Sequence, residues 1–167
     1  PEAVSQSINT MQINLKQQIS TITQEIEQHI DRHPDLKKDR ALLRSIPGVG
    51  EVVSLRMTAL YHSKDFTSAS QMAAYLGLVP RKRESGKYKG KAMLSKRGNP
   101  VIRAKLYMAA VVAKTWNPDI NAHYRRLKAR NKTEMQTIGA AMRRLVQICF
   151  GVLKHQCEYQ AKITIAA

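Results

Sequence analysis

Residues 36–60 read LKKDRALLRSIPGVGEVVSLRMTAL, and this stretch decides the fold. Two segments with helical spacing flank a Pro- and Gly-punctuated break, so a helix ending near Ser45, a turn Ile46-Pro47-Gly48-Val49-Gly50 and a second helix from Glu51 are predicted. Leu43, Ile46, Val49, Val53 and Leu55 are expected to form a small core around the turn. Outward from it, the remaining chain also reads as helices, so the predicted class is mainly all-α.

Residues 1–33 place Ile8, Met11, Leu15, Ile19, Ile22, Ile26 and Ile30 three and four apart, the mark of a long amphipathic helix. The stripe is thin and the remaining surface is rich in Gln and Ser, which favours pairing with a second copy in coiled-coil fashion. Pro34 is expected to stop this helix. His29 and His33 lie one turn apart but have no third ligand nearby, so they read as solvated. Ser68 to Gln71 reads as a capping box opening a short helix that Gly77 closes, with Tyr75, Leu76 and Leu78 packing inward. Asn99-Pro100 opens a helix over Val101–Lys114, with Ile102, Leu106, Ala109 and Ala113 on one face. Trp116-Asn117-Pro118 breaks it, and another helix runs to about Arg130, its Arg125, Arg126, Lys128 and Arg130 either phosphate contacts or a solvated face. Thr133 to Gln136 is a second capping box, leading a last helix to about Gln156 with Ile138, Met142, Leu145, Cys149 and Val152 on a buried stripe. The segments read as an oligomerisation helix (1–35), a helical domain (36–159) and a ragged tail (160–167).

Composition points to the kind of partner. Lys and Arg number 28 against 12 acids, a formal charge of +16 with pI near 10.2. That bias favours a polyanion, nucleic acid first, over a membrane surface. No apolar run reaches the roughly 18 residues that a bilayer span needs, and the polar N-terminus reads as no signal peptide. Cys149 and Cys157, eight residues apart on one expected helix, stand about 12 Å apart and are too distant to bridge. A reducing, cytoplasmic, nucleoid-associated bacterial setting fits. The chain opens at Pro1, so a fragment of a longer protein is expected.

The charge concentrates in GLVPRKRESGKYKGKAMLSKRGNPVIR, residues 77–103. Eight Lys or Arg and one acid, Glu84, lie between Arg81 and Arg97. Gly and Pro interrupt any helix there, so an exposed loop or loose hairpin held between helices is expected. Arg81, Lys82, Arg83, Lys87, Lys89, Lys91, Lys96, Arg97 and Arg103 are the candidate nucleic-acid contacts in and beside it. The IPGVG turn resembles a helix-hairpin-helix motif. In such a motif Gly48 and Gly50 would let helix N-terminal amides approach a phosphate, gripping backbone without reading sequence.

The order of long coiled-coil helix, IPGVG turn, GLVPRKRESG, SKRGN and helix resembles the C-terminal transposase domain of the insertion-sequence-110 family. These are bridge-RNA-guided recombinases that include the pilin-gene invertases. The resemblance covers roughly residues 38–157. It implies that Ser85, the serine of the ESG element, is the nucleophile that attacks a DNA phosphodiester. It further implies DNA and guide RNA as partners, and a homodimer or tetramer through the N-terminal helix. A separate N-terminal nuclease-like domain would bind magnesium through four acidic residues; nothing in these residues matches it, so no metal ligand or cofactor is expected here. A serine hydroxyl needs activation before it attacks, and Gly86 beside it leaves room for a phosphate. The competing readings are a non-catalytic helix-hairpin-helix module that grips DNA or RNA, and a multimerising adaptor built on the N-terminal helix.

Overall fold

The computed structural model describes residues 2–81, 84, 85, 88, 89, 93–95 and 97–162, with residues 84, 85, 88 and 89 described by backbone alone. Among these, seven helices carry the chain: α1 (Glu2–Arg32), α2 (Pro34–Arg44), α3 (Glu51–Ser63), α4 (Ala69–Tyr75), α5 (Pro100–Trp116), α6 (Pro118–Ala129) and α7 (Glu134–His155). Four two-residue strands lie between α4 and α5: β1 (Pro80–Arg81), β2 (Glu84–Ser85), β3 (Tyr88–Lys89) and β4 (Met93–Leu94). The mainly all-α class holds. No helix among the described residues is long and apolar enough to cross a membrane.

By packing, the chain divides into residues 1–38 and 39–167. In the first unit α1 leaves its stripe uncovered as far as Ile26, with Val4, Ile8, Met11, Leu15, Ile19, Ile22 and Ile26 each at least 40% exposed, while Ile30 is buried. α1 ends at Arg32, just before Pro34, as expected, and a new helix opens at the proline itself. Only His33 separates α1 from α2, because a proline at the first helical position loses no hydrogen bond and is already set at a helical φ. The helix expected to end near Ser45 therefore runs from Pro34 to Arg44.

In the second unit α7 packs against α4, α5 and α6, and α3 packs against α5. Leu43, Ile46, Met57, Met72, Leu76, Leu78, Leu106, Ile120, Leu145 and Leu153 are fully buried between them. Two expectations fail. Leu55 is only half-buried; α3 instead buries Val53, Met57 and Leu60, spaced i, i+4, i+7, and Leu55 lies about 200° round the helix from Val53. Tyr75 is half exposed, with its ring edge-on to Phe66 at 5.6 Å, because α4 turns Met72 and Ala73 inward.

Side chains set the helix ends. Ser68 accepts from the Gln71 N–H at 3.2 Å, but Gln71 reaches back to the Thr67 N–H at 2.7 Å, one residue earlier than a reciprocal box requires. The Thr133–Gln136 box is complete. Asn99 Oδ1 accepts from the N–H groups of Val101 and Ile102, with Pro100 at the first helical position. Asn117, fully buried, caps α6 by accepting from the Ile120 N–H at 3.1 Å and donates to the Pro47 carbonyl at 3.3 Å. The Tyr159 hydroxyl donates to Asn117 Oδ1 at 3.0 Å and to Asp119 at 2.9 Å, while the Lys162 N–H meets the same Asp119 carboxylate. The tail expected to be ragged past Tyr159 is thus tied down as far as Lys162. Buried Asp39 joins α2 to α3 and to the end of α7 through His62 at 2.7 Å and Gln156 at 2.6 Å. α7 stops at His155 with Gln156 left-handed, so Cys157 lies beyond the helix, exposed, while Cys149 is buried.

Candidate functional site

Ser85 sits on a two-stranded arm. β1 pairs antiparallel with β4, Pro80 opposite Leu94 and Arg81 opposite Met93. β2 pairs antiparallel with β3, Glu84 opposite Lys89 and Ser85 opposite Tyr88. The Ser85–Tyr88 pair therefore closes on a two-residue connection, Gly86-Lys87. The expected exposed loop or loose hairpin takes this form along its described backbone.

The base of the arm is fixed to the helical core. Leu78 is fully buried just before β1, and the Ser95 N–H bonds the Val79 carbonyl at 2.9 Å just after β4. Leu94 rests on α7 at Gly139, where an added Cβ would come within 3.2 Å of its side chain. Gly98 lies against the end of α4: a Cβ there would stand 2.5 Å from both the Tyr75 carbonyl oxygen and the Leu76 carbonyl carbon. The Arg103 guanidinium, one turn into α5, donates to the Gly98 carbonyl. Arg103 is thus half-buried and ties the arm's return to α5, while Arg81 and Arg97 are exposed. Lys82, Arg83, Lys87, Lys91 and Lys96 lie outside the described residues.

The two glycines of the IPGVG turn face different surroundings. Gly48 adopts φ +99°, and a Cβ there would meet Ala113 Cβ at 2.6 Å and the Ala109 carbonyl at 3.0 Å. Its missing side chain serves close packing on α5. Gly50 caps α3 in open space, with no side-chain cap to occupy the first-turn amides. The anion nearest that helix end is Glu51, whose carboxylate ion-pairs with Arg40 and with Arg44, the latter at 2.6 Å. Beside it runs an open groove of about 520 Å³ between Gly48–Val53 and α5. Met108 and Val112 line it from α5 and Lys105 is its one cation, so a phosphate at this end would meet more hydrocarbon than charge.

Among the described residues no group of three or more His, Cys, Asp or Glu side chains is placed to hold a metal ion. His33 Nδ1 bonds the His29 carbonyl at 2.7 Å and the two rings stack at 4.3 Å.

Sequence reasoning left the α6 basic segment open between phosphate contact and solvated face, and missed the α7 side of a second basic surface. On α6 and α7, His123 and Arg126 face Arg143 and Arg144 across an open groove of about 740 Å³. The Arg143-Arg144 doublet sits next to the buried stripe of α7, and only the pairing of the two helices gives it partners. Lys128, by contrast, is drawn to Glu134, which also receives Lys114 at 2.9 Å and the Tyr124 hydroxyl at 2.6 Å. Those donors hold the Glu134 carboxyl below the usual carboxylate range, Tyr124 first and Lys114 second.

Residues 40–125 match the family model described as Transposase IS116/IS110/IS902 family. The pilin gene-inverting protein of Moraxella bovis is 30% identical over 156 residues, covering 90% of this chain and 48% of that protein. The corresponding protein of Moraxella lacunata is 29% identical over the same length. An uncharacterized 42 kDa protein of insertion element IS900 from Mycobacterium paratuberculosis is 26% identical, over 85% of this chain and 35% of its own. The chain spans about half the length, or less, of these relatives. The family match takes in the IPGVG turn, the whole arm and α5, more than half of the 167 residues, and the chain belongs to the IS116/IS110/IS902 transposase family.

Proposed function

We propose that this chain is the part of a DNA transposase or recombinase that carries the serine nucleophile. The observation that carries the reading is the position of Ser85, opposite Tyr88 where the arm closes, on a strand pair whose base is pinned into the core. In the step proposed, Ser85 Oγ attacks a DNA phosphodiester, the Oγ–P bond forms and the P–O3′ bond breaks. The serine proton passes to a base, the leaving O3′ is protonated, and a 5′-phosphoserine is left. The 3′-hydroxyl can later reverse the step on a new partner strand. Gly86 adds no side chain beside Ser85, and Arg81, Lys87, Lys89 and Arg97 would offset charge on the phosphoryl oxygens.

DNA and a guide RNA are the proposed partners of the whole protein, which on this reading also holds an acidic, magnesium-binding nuclease-like domain outside these residues. The 167-residue chain alone would then bind nucleic acid and cut poorly. Oligomerisation is proposed to run through α1. From Val4 to Ile26 the stripe Val4, Ile8, Met11, Leu15, Ile19, Ile22, Ile26 advances 4, 3, 4, 4, 3 and 4 residues, 22 residues in six steps, with exposed Ile13 off it. That is about 3.67 per step, the eleven-residue repeat that gives straight or gently right-handed coils.

The test is a denaturing-gel trap for a covalent protein–DNA adduct. It uses the full-length protein with guide RNA, donor and target DNA and magnesium, comparing Ser85 with Ser85→Ala. An adduct lost in the variant supports the reading. An adduct that survives Ser85→Ala, or none in either while DNA remains bound, overturns it.

A further inference from the structure

The four-residue connection between α6 and α7 makes these helices an antiparallel hairpin, and their facing sides build the groove of about 740 Å³. Asp119, Ala122, His123 and Arg126 occupy one face of α6 at spacings i, i+3, i+4 and i+7. Ala140, Arg143 and Arg144 answer from α7 at i, i+3 and i+4, and the two alanines leave the groove open at its floor.

Its charge is compensated only in part. Neither Arg143 nor Arg144, both half-buried, makes an ion pair among the described residues. Arg126 donates to His123 Nδ1 at 2.9 Å, which requires that nitrogen to be unprotonated. The groove's one carboxylate, Asp119, is occupied by the Tyr159 hydroxyl and the Lys162 N–H. Three guanidinium groups therefore share one concave surface with a single carboxylate whose oxygens are engaged by Tyr159 and Lys162, a net positive arrangement that an entering anion relieves. Planar guanidinium forks match phosphate oxygens in pairs.

We propose that the α6–α7 groove is a binding site for the phosphodiester backbone of nucleic acid, distinct from the Ser85 arm. It rests on the charge and shape of the hairpin and stands whether or not Ser85 is a nucleophile. Contacts of this kind hold the backbone and leave sequence unread.

The experiment is fluorescence anisotropy with the 167-residue chain, a 30-base-pair DNA duplex and a stem-loop RNA, over a series of salt concentrations. It reads equilibrium binding and needs no cleavage, so its outcome is separate from that of the adduct trap. At 0.1 M salt each duplex phosphate contact is worth about eightfold, since affinity scales with salt to about the power −0.9 per phosphate. Arg143→Gln/Arg144→Gln is expected to weaken binding about 60-fold and flatten the log–log slope by about 1.8. Loss confined to the duplex assigns the groove to DNA, and loss confined to the stem-loop assigns it to RNA; either supports the site. Arg126→Gln, at an exposed position, is expected to lose about eightfold and carries the test if the double variant fails to fold. Unchanged affinity and slope in the folded variants overturns the proposal. So does an equal loss in Arg125→Gln/Arg130→Gln, which removes the same charge outside the groove, or competition by polyglutamate as effective as that by unlabelled duplex.

Discussion

Gly48→Ala separates two roles for the IPGVG turn. The new Cβ would stand 2.6 Å from Ala113 Cβ, 2.9 Å from Ala113 Cα and 3.0 Å from the Ala109 carbonyl, at φ +99°. Left-handed backbone costs a residue with a side chain roughly 1–2 kcal/mol. Forced overpacking against a helix backbone adds roughly 1–3 kcal/mol, so the variant should lose about 2–5 kcal/mol of a total of about 5–15. At about 2–4 °C per kcal/mol for a chain of this size, the midpoint of thermal unfolding by circular dichroism should fall by roughly 4–20 °C. Adding Ala113→Gly removes the Cβ–Cβ clash but leaves the Ala109 carbonyl, the Ala113 Cα and the positive φ, so recovery should be partial. If Gly48 is instead there to admit a phosphate, Gly48→Ala keeps its thermal midpoint and loses only affinity for DNA. A midpoint within 1 °C of the parent would refute the packing account.

Three further outcomes follow from single residues. Gly151 lies inside α7 with nothing within 4 Å of an added Cβ, so Gly151→Ala should stabilise by about 0.8–1.0 kcal/mol and raise the unfolding midpoint by about 2–4 °C; a fall would mean that the position is not open. Burial, and then its bond to Asp119, push the Tyr159 hydroxyl up to about 12. Because the folded value is raised, the stabilisation is whole below the ordinary tyrosine value near 10 and drains away as pH rises toward 12. Tyr159→Phe should cost about 0.5–1.5 kcal/mol at neutral pH and make the alkaline limb of the urea-unfolding profile shallower; part of that limb should remain, since buried Cys149 is also pushed to about 12. His123 is held below the ordinary histidine range by burial, then by Arg126 and Arg144, with Arg143 and Asp119 also lining its groove. In NMR titrations its imidazole should move upward in pKa on saturation with duplex DNA, and a titration that does not move would place the backbone elsewhere.

The helix ends were legible because capping chemistry is local: Ser68, Asn99, Asn117 and Thr133 each accept from an amide two or three residues on. The arm was legible as an exposed basic segment but not as strands, since two-residue strands carry no period to read. The facing of Gly48 was hidden for a different reason. A glycine that admits a phosphate and a glycine that admits a neighbouring helix are the same letter, and only the 2.6 Å approach of Ala113 tells them apart. The α6–α7 groove was illegible as a groove because it joins residues some twenty positions apart: the α6 arginines left phosphate contact and solvated face open, and α7 showed only its buried stripe. Leu55 and Tyr75 failed by the same geometry, an apolar residue counted as core without its angle round the helix.

α5 is the part that relates these pieces. Near its N-terminus Asn99 caps it and Arg103 holds Gly98, so the return of the Ser85 arm is set there. Two turns on, Ala109 and Ala113 receive Gly48, and just past its end Asn117 takes the Pro47 carbonyl. Seventeen residues at 1.5 Å rise make a rod of about 25 Å. One helix therefore fixes the spacing between the base of the arm and the turn that precedes α3. On the proposed reading, the base of the arm that carries Ser85 would be held at a separation from the rest of the helical core that side-chain motion cannot adjust. Small misplacements of reacting groups are costly to phosphoryl transfer, which depends on alignment. Substitutions at Gly98 or Asn117, neither of which the chemistry touches, should then weaken strand exchange more than they weaken binding.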